Sequence, residues 1–357
     1  MRTRFSTVIA TLYPAILTLV LAAFGGWVAS LLNLPAGWLM GSALAVTAGA
    51  MAGLPVHMSN LLRDITFVLI GMSMGASVAP DSLSLLASWP ISLMALALEL
   101  VIIVALTGWM LVRFFKLDPG TAYLSSFPGH LSFIIGIASA GVGDSRQIVI
   151  IQVIRILMLT ICVPLGAMFL PISELPPPVA VDTMSIAQLL MLAAGCVAVG
   201  LVFIKLQVPA GMVLGAMAAA IGAKLGGLYV EAMPEPLLVL TFVLTGVLIG
   251  SRFAGITRQE FMAAAKGGLI ATLMTIGIVS LMTWGVSLMV DMPYGQLWLG
   301  LSPGALEGMG ALGIALGYDT AFIAAHHLIR LLLLSFAIPA VVMLIRRRET
   351  ATITGNT

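Results

Sequence analysis

Two arginines stand in apolar stretches of this sequence, 175 positions apart. Arg155 lies 26 residues after the pair Pro128-Gly129, and Arg330 lies 26 residues after Pro303-Gly304. A charged side chain inside a lipid bilayer is costly, so it marks a functional site or a specific partner. The spacing predicts a pair of arginines that binds an anion. The alternative is structural, with each arginine paired to an acid or to carbonyl groups that a broken helix leaves free.

The Pro-Gly pairs predict interruptions in helices. Proline suits the first turn of a helix, so each pair is expected to begin a half-helix within the membrane, over residues 130–141 and 305–316. The N-terminus of such a helix offers free N–H groups and a partial positive charge, which suit an anion. Ser126 and Ser302 would add hydroxyl groups beside the pairs. The alternative is a simple kink whose free groups bond to neighbouring helices.

Six titratable residues are candidates for coupling to a proton or a cation: Glu99, Glu307, His326, His327, Asp144 and Asp319. Acids within a membrane often carry protons, and histidine titrates near neutral pH. Other roles stay open. The glutamates can neutralise the arginines, and the histidines can remain neutral and hydrogen-bonded. The aspartates directly precede the arginine-bearing stretches, where an acid can cap a helix.

The sequence around these residues is duplicated. Residues 66–75 (TFVLIGMSMG) match residues 241–250 (TFVLTGVLIG), and LPAG at 34–37 matches VPAG at 208–211. Membrane transporters built from two copies of one unit bind substrate where the copies meet. Both decapeptides end in Gly-x-x-x-Gly, a spacing that predicts close approach of helix backbones.

The composition is that of an integral membrane protein. Hydrophobic residues make up 61% of the chain and charged residues 8%, whereas soluble domains carry about 25% charged residues. Ten apolar stretches are predicted to cross the membrane as helices: 8–32, 35–53, 61–79, 91–114, 147–170, 183–204, 209–228, 236–251, 267–290 and 320–345. The first is interpreted as a retained span rather than a signal peptide, because its string LAA recurs at residues 192–194.

Two further apolar segments, 118–143 and 292–317, are broken by Gly and Pro, and their course decides the topology. If both enter the membrane and return on one side, Lys and Arg collect in cytoplasmic loops, as the positive-inside rule requires, with Lys224 as the exception. If both cross, four cations move outside: Lys205, Arg252, Arg258 and Lys266. The first arrangement fits better, although a crossing but unwound helix stays open.

We therefore predict an all-α polytopic membrane protein of two inverted repeats. Each repeat has about five transmembrane helices and one re-entrant segment broken at Pro-Gly. Repeat 1 covers residues 8–171 and repeat 2 covers residues 183–345, followed by a cytoplasmic tail at 346–357. Both termini are expected in the cytoplasm.

The duplicated pattern of Pro-Gly, Arg and Pro, which continues to Pro164 and Pro339, resembles that of the AbrB family of bacterial membrane proteins. The resemblance covers about residues 15–345. These proteins are distinct from the soluble DNA-binding regulators of the same name. The resemblance implies a duplicated membrane domain in the bacterial inner membrane. Family members are labelled as ammonia monooxygenases or as regulators of gene expression, and the family supplies no catalytic residues.

The residues do not favour an oxygenase, because copper or iron chemistry needs several converging His or carboxylate ligands. The chain has four histidines, and a metal site of His130, Glu307 and one of the pair His326 and His327 is the weakest alternative. We predict a secondary transporter that moves a small anion by alternating access, with no enzymatic activity, cofactor or metal. A membrane regulatory or sensor protein that affects gene expression indirectly is the main alternative. The expected partners are the lipid bilayer, a small anionic solute and a proton or cation, without nucleic acid, and a homo-oligomer stays open.

Overall fold

The computed structural model describes residues 2–78, 89–129, 131–139, 141–167 and 182–354. These residues form α-helices, joined by turns and one 3-10 turn at Ser251–Phe253. In chain order the helices are α1 Arg2–Leu31, α2 Gly37–Met51, α3 Asn60–Ser77, α4 Trp89–Phe115, α5 Pro119–Ser126, α6 Leu131–Ser139, α7 Ser145–Ala167, α8 Ile186–Lys205, α9 Gly211–Leu225, α10 Glu235–Gly250, α11 Arg258–Ser287, α12 Tyr294–Leu301, α13 Leu306–Leu316 and α14 Thr320–Thr354. The prediction of an all-helical chain is confirmed for this part of the sequence.

Seven of the described helical segments are long and apolar enough to cross a membrane: α1, α4, α7, α8, α10 together with the 3-10 turn that follows it, α11 and α14. Ten spans were predicted, and α2, α3 and α9 do not meet the same limits. Helices α2 and α9 have 15 residues each, which extend about 22 Å, whereas the hydrocarbon core measures roughly 30 Å. The last residues of two predicted spans, 79 and 168–170, lie outside the described residues.

The two halves of the chain share the order of their helices. Each has a long helix, a 15-residue helix, a glycine-containing helix, a long helix, two short helices and a long arginine-bearing helix. The local geometry also recurs. Ala36 before α2 and Ala210 before α9 both adopt left-handed backbone, with φ of 51° and 53°.

Glycines join helices of one half to helices of the other. Helix α3 packs on α9, and α10 packs on α2. A Cβ atom on Gly75 would lie 2.6 Å from the carbonyl oxygen of Met217, and one on Gly250 would lie 2.9 Å from that of Ala43. Moving four residues from Gly71 to Gly75 also moves the contact four residues along α9, so the two helices run parallel. Both interfaces depend on glycine, as the Gly-x-x-x-Gly spacing predicts.

Each Pro-Gly pair lies between two short helices, α5 and α6 or α12 and α13. The second helix of each pair begins at Leu131 or Leu306, so the Pro-Gly stands before the helix rather than in its first turn. Proline instead follows a residue with extended backbone at the end of the first helix. Gly129 then adopts φ 119°, a value that side chains other than glycine rarely allow.

The residue that follows each pair of short helices lies close to the first turn of the first helix of that pair. The backbone N–H of Asp144, just before α7, donates to Thr121 Oγ1 in the first turn of α5 at 2.7 Å. The counterpart in the second half is a bond of 3.3 Å from the N–H of Asp319 to Gln296 Oε1. Residues 118–143 and 292–317 therefore each fold as a compact hairpin.

The helices that carry the two arginines, α7 and α14, start beside different helices. At the start of α14, the hydroxyl of Thr320 donates to the carbonyl of Met74 near the end of α3, at 2.7 Å. At the start of α7, Arg146 lies 2.8 Å from Glu260 in the first turn of α11. Lys224, the exception to the charge rule, donates to the last carbonyls of α3, which gives its ammonium group a structural role.

Candidate functional site

A cavity of about 550 Å³ lies where the two Pro-Gly breaks approach each other. Both arginines predicted from the sequence line it, Arg155 from α7 and Arg330 from α14. Each stands ten residues after the start of its helix, which is about 15 Å along the axis. The remaining lining consists of Arg63, Phe67, Gly129, Leu131, Gln152, Ile156, Pro209, Ala210, Leu248, Arg252, Pro303, Gly304, Ala305, Leu306, Glu307, His327 and Leu331.

The guanidinium group of Arg155 holds the end of α5. It donates to the carbonyl of Phe127 at 2.9 Å and makes longer bonds to the carbonyls of Ser125 and Ser126, at 3.4 and 3.5 Å. These carbonyls lack partners within the helix, because α5 ends there. Arg155 therefore has the structural partner that the sequence left as an alternative, while it also lines the cavity.

Arg330 does the same in the second half. Its guanidinium group donates to the carbonyls of Ser302 and Gly304, on both sides of Pro303. The carbonyls of Phe127 and Ser302 are counterparts across the duplication, so the two halves use the same bond. In the part of the chain that is described, Nε of each arginine has no hydrogen-bond partner. Neither arginine forms an ion pair there within 4.0 Å.

Two more arginines, which were not among the predicted site residues, also reach the cavity. Arg63 lies in the first turn of α3, and Arg252 lies just after the end of α10. Arg63 pairs with the exposed Asp64 at 3.0 Å, and Arg252 pairs with Glu307 at 2.6 Å. Four arginines and one glutamate thus line the same space, and the balance of charge is positive.

Gln152 and His327 occupy equivalent positions, three residues before each arginine. Both are buried and line the cavity. The amide of Gln152 donates to the carbonyl of Leu124 at 3.1 Å and so helps to hold the end of α5. Neither ring nitrogen of His327 has a hydrogen-bond partner among the described residues. The 175-residue spacing was the signal that could have identified Gln152.

The predicted anion-binding residues of the breaks separate into two groups. Gly129, Pro303 and Gly304 line the cavity, together with the coupling candidate Glu307. Pro128, Ser126 and Ser302 do not line it. The hydroxyl of Ser126 donates to the carbonyl of Ala122 at 2.8 Å, so its hydrogen is engaged within α5. His130, which was considered as a metal ligand, lies outside the described residues.

Glu99 and His326 lie away from the cavity, between α4 and α14. Nδ1 of His326 contacts the carbonyl of Phe322 at 2.9 Å, and its Nε2 contacts Ser92 Oγ at 2.8 Å. Glu99 is 1% exposed, and its Oε2 has no hydrogen-bond partner in the described part of the chain. The structure therefore separates these two candidates from Glu307 and His327, which line the cavity.

Asp144 and Asp319 cap the helices that carry the arginines. Oδ1 of Asp144 accepts from the backbone N–H groups of Arg146 and Gln147, at 2.8 and 3.2 Å. Oδ1 of Asp319 accepts from the N–H of Ala321 at 2.8 Å. Both carboxylates lie at helix starts, about 15 Å along the helix from the arginines, and neither lines the cavity.

Replacing Asp144 with alanine is expected to lower the free energy of unfolding by about 1 kcal/mol, the usual effect of losing a helix cap. The reason is that two N–H groups of α7 lose their acceptor. Unfolding titrations in mixed detergents measure the change, with the exposed loop variant Asp291→Ala as the control. Equal stability of the two variants would contradict the capping role.

Comparison with known proteins places this arrangement in a family. Residues 38–346 match the family model AbrB, which is described as "Transition state regulatory protein AbrB". One relative is "Putative regulator AbrB" of Escherichia coli (strain K12), 26% identical over 322 residues that cover 87% of this chain and 90% of the relative. Another is "Uncharacterized protein YhjN" of Bacillus subtilis (strain 168), 24% identical over 354 residues that cover 90% of both chains. The family model spans both Pro-Gly breaks and both arginines, and the chain therefore belongs to the AbrB family.

Proposed function

We propose that this protein is a secondary transporter that moves a small anion across the membrane by alternating access. The observation that carries the proposal is the cavity itself, which four arginines and one glutamate line at the junction of two broken helix pairs. Two of the arginines, Arg155 and Arg330, are buried and have no carboxylate within ion-pair distance in the described residues. A buried positive charge without a counter-ion favours an anion as its partner.

The directions of the helices support two inverted repeats. The start of α3 and the end of α10 line the same cavity, through Arg63 and Arg252. These two helices carry the matching decapeptides at 66–75 and 241–250, so counterpart helices run in opposite directions. Helices α7 and α14 agree, because α7 starts beside the first turn of α11, whereas α14 starts at the far end of α3. Arg155 and Arg330 would then approach the cavity from opposite sides of the membrane.

The hairpins support re-entrant segments. The contacts of Asp144 with Thr121 and of Asp319 with Gln296 bring the two ends of each segment together, as expected of a segment that would enter the membrane and return on one side. With the positive-inside rule, the end of α10 and the starts of α3, α7 and α11 face the cytoplasm. The cavity mouth, with Arg63 and Arg252, would be cytoplasmic in the inner membrane of a bacterium, and the two termini would lie on the same side.

The difference between the two sides of the molecule supports alternating access. Phe67 and Ala210 line the cavity. Their counterparts in the other half of the chain are Phe242 and Ala36. These counterparts line a smaller pocket of about 370 Å³, which Arg155 and Arg330 do not reach. On that side, Ser77 and Thr320 join the end of α3 to the start of α14 by a contact of 3.0 Å. If the two halves exchanged these conformations, the cavity would close and Arg155 and Arg330 would become accessible from the opposite side of the membrane.

A membrane sensor is the second candidate, and the names of the relatives favour it. The family description calls its members a regulatory protein, and the E. coli relative is named a regulator. A sensor would bind the same anion in the same cavity but would not move it, and its effect on gene expression would be indirect. The proposal includes no enzymatic step and no direct contact with nucleic acid.

Filling the cavity is expected to abolish anion binding. Ala305 lines the cavity and has extended backbone, with φ −76° and ψ 140°, which phenylalanine also adopts. The wild type, Ala305→Phe and the control Ala187→Phe, on an exposed face of α8, are heated with phosphate, sulfate, acetate, succinate or citrate. An anion at a hundred times its dissociation constant stabilises by about 2.7 kcal/mol, and we expect this gain in the wild type and control only.

The outcomes separate the candidates. If no anion stabilises the wild type, or if Ala305→Phe responds like Ala187→Phe, the proposed site is wrong. If an anion binds in the cavity, its movement is measured with the radiolabelled compound in proteoliposomes. Uptake by the wild type and the control variant would support a transporter, whereas binding without uptake would favour the sensor.

A further inference from the structure

Glu99 is a buried acid that the anion site does not use. It lies near the middle of α4, and no carboxylate or arginine replaces it at the equivalent position of α11, where Met274 stands. The side chain is 1% exposed, and the described residues offer no hydrogen-bond partner to Oε2. An acid in such a place is costly when ionised and needs a nearby positive charge.

Arg330 supplies that charge from the neighbouring helix α14. Trp89 of α4 contacts Phe322 of α14, and Ser92 of α4 contacts His326 of α14 at 2.8 Å, so the two helices run side by side in the same direction. Glu99 follows Ser92 by seven residues and Arg330 follows His326 by four, which brings the two to neighbouring levels. They form no ion pair within 4.0 Å in the described structure. The guanidinium group is instead fixed to the carbonyls of Ser302 and Gly304. Because Arg330 also lines the cavity, one fixed charge faces both the anion site and Glu99.

We propose that Glu99 binds a proton whenever the cavity binds an anion, so that the protein carries the two together. This inference rests on the proposed anion transport. At a pH high enough to ionise the buried carboxyl of Glu99 in the anion-free protein, the charge of Arg330 stabilises the carboxylate. An anion beside Arg330 cancels that stabilisation and repels the carboxylate, so one proton from solvent forms an O–H bond on Glu99. By linkage, protonated Glu99 in turn strengthens anion binding.

The other titratable groups near Arg330 fit this role less well. His326 and His327 lie on the same helix as Arg330, and a proton on either would add a second positive charge next to the guanidinium group. Glu307 also acts on Arg330, but its carboxylate is paired with Arg252 at 2.6 Å. From the helices packed on α4, Arg330 is the charged group that acts on Glu99 in the described chain.

The nature of the neighbours also favours a proton over a metal cation. A sodium or calcium ion would need several oxygen ligands around it. The charged group of α14 that lies near Glu99 is instead Arg330, which would repel any cation. A proton needs one carboxylate oxygen and no further ligands.

Calorimetric titration of the purified protein with sulfate tests the inference, because sulfate itself does not titrate near neutral pH. Succinate and phosphate serve as further probes, with their own ionisation subtracted. Titrations in two buffers of different ionisation enthalpy count the protons taken up. The titrations are repeated at rising pH, up to values at which Glu99 is ionised in the anion-free protein. There we expect the wild type to bind about one proton with each anion and to lose affinity by up to about tenfold for each unit of rising pH.

The variant Glu99→Gln keeps the shape of the side chain and removes its charge. We expect it to bind the anion at all pH values with the affinity that the wild type shows at low pH, without proton uptake. In proteoliposomes it should exchange anion across the membrane but fail to accumulate it against a gradient when a pH difference is applied. Glu235→Gln, which removes an exposed acid at the start of α10 outside the cavity, is the control, and it should keep the proton uptake.

Each outcome bears on one claim. Anion binding by the wild type without proton uptake would overturn the inference and leave the anion site intact, and this measurement needs no variant. Proton uptake that persists in Glu99→Gln and disappears in His326→Gln or His327→Gln would overturn the assignment to Glu99. If none of the probe anions binds, the proposed function is contradicted before the inference is reached.

Discussion

Replacing Arg330 with methionine is expected to destabilise the protein by about 3 kcal/mol even without any anion. The guanidinium group is buried and donates to the carbonyls of Ser302 and Gly304, which have no partner within α12 or α13. Each hydrogen bond to a charged group contributes about 1.5–3 kcal/mol, and relief from burying the charge offsets part of the loss. Equilibrium unfolding in mixed detergents measures the change.

Three variants make this prediction specific. Arg155→Met should show a similar loss, because Arg155 holds the carbonyl of Phe127 in the same way. Arg330→Lys keeps the charge but has no planar fork to reach two carbonyls, so it should fall between methionine and the wild type. Leu332→Met, on an exposed part of α14, is the control and should be neutral. Wild-type stability of Arg330→Met would mean that the carbonyl bonds contribute little.

A consequence follows for any test of anion binding. Removing either arginine changes both the cavity charge and the break that shapes the cavity, so loss of binding in such a variant has two causes. Ala305→Phe avoids this problem because it leaves both guanidinium groups and their carbonyl partners in place. The structural and functional roles of the arginines are compatible, since carbonyl bonds fix the positive charges where an anion would meet them.

The sequence predicted the cavity residues that recur at the 175-residue spacing. Arg155, Arg330, Gly129 and Gly304 all line the cavity, because a duplicated unit keeps its working positions at equal distances. The same spacing could not show what the arginines contact. A free carbonyl and an anion are both acceptors for a guanidinium group, and only the fold around Phe127 and Ser302 shows that carbonyls are the partners here.

Residues without a counterpart were harder to place. Arg63 and Arg252 were not predicted as site residues, since each stands at the edge of an apolar stretch and neither has a counterpart arginine. They meet in one cavity because the start of α3 lies beside the end of α10. The sequence alone does not show that these two helix ends are neighbours. The start of α11 was placed at 267 instead of Arg258, although Thr257 and Glu260 form a capping box that marks the true start.

Two of the predicted spans are shorter as helices than the sequence indicated. Hydropathy adds the apolar loop residues around α2 and α9 to the helices, which have 15 residues each. Turns at Ala36 and Ala210 end the regular backbone there, and φ values of 51° and 53° are not apparent from alanine in a sequence. These short helices keep their place by packing on glycines of the opposite half.

The packing of α3 on α9 leads to the second prediction with a large effect on stability. Replacing Gly75 with alanine is expected to cost about 1–3 kcal/mol, as overpacking does in a tight interface. The new Cβ would lie 2.6 Å from both the carbonyl oxygen of Met217 and the Cβ of Ala220, and backbone atoms cannot turn aside as a flexible side chain can. Helices α3 and α9 would have to separate. Detergent unfolding measures the loss, and leucine at the same position should prevent folding altogether.

Gly250→Ala should have an effect of similar size, because its Cβ would lie 2.7 Å from Val46 Cβ and 2.9 Å from the carbonyl oxygen of Ala43. The matched control is Gly277→Ala in α11, where no atom lies within 4 Å of the added Cβ. There alanine should stabilise the helix slightly, by up to about 1 kcal/mol. If Gly75→Ala and Gly277→Ala behave alike, the glycines do not set the approach of the helices. If Gly75→Ala and Gly250→Ala destabilise the protein while Gly277→Ala stabilises it, backbone contacts of α3 with α9 and of α2 with α10 hold the two halves together. The cavity between the halves would then exist only when both halves pair.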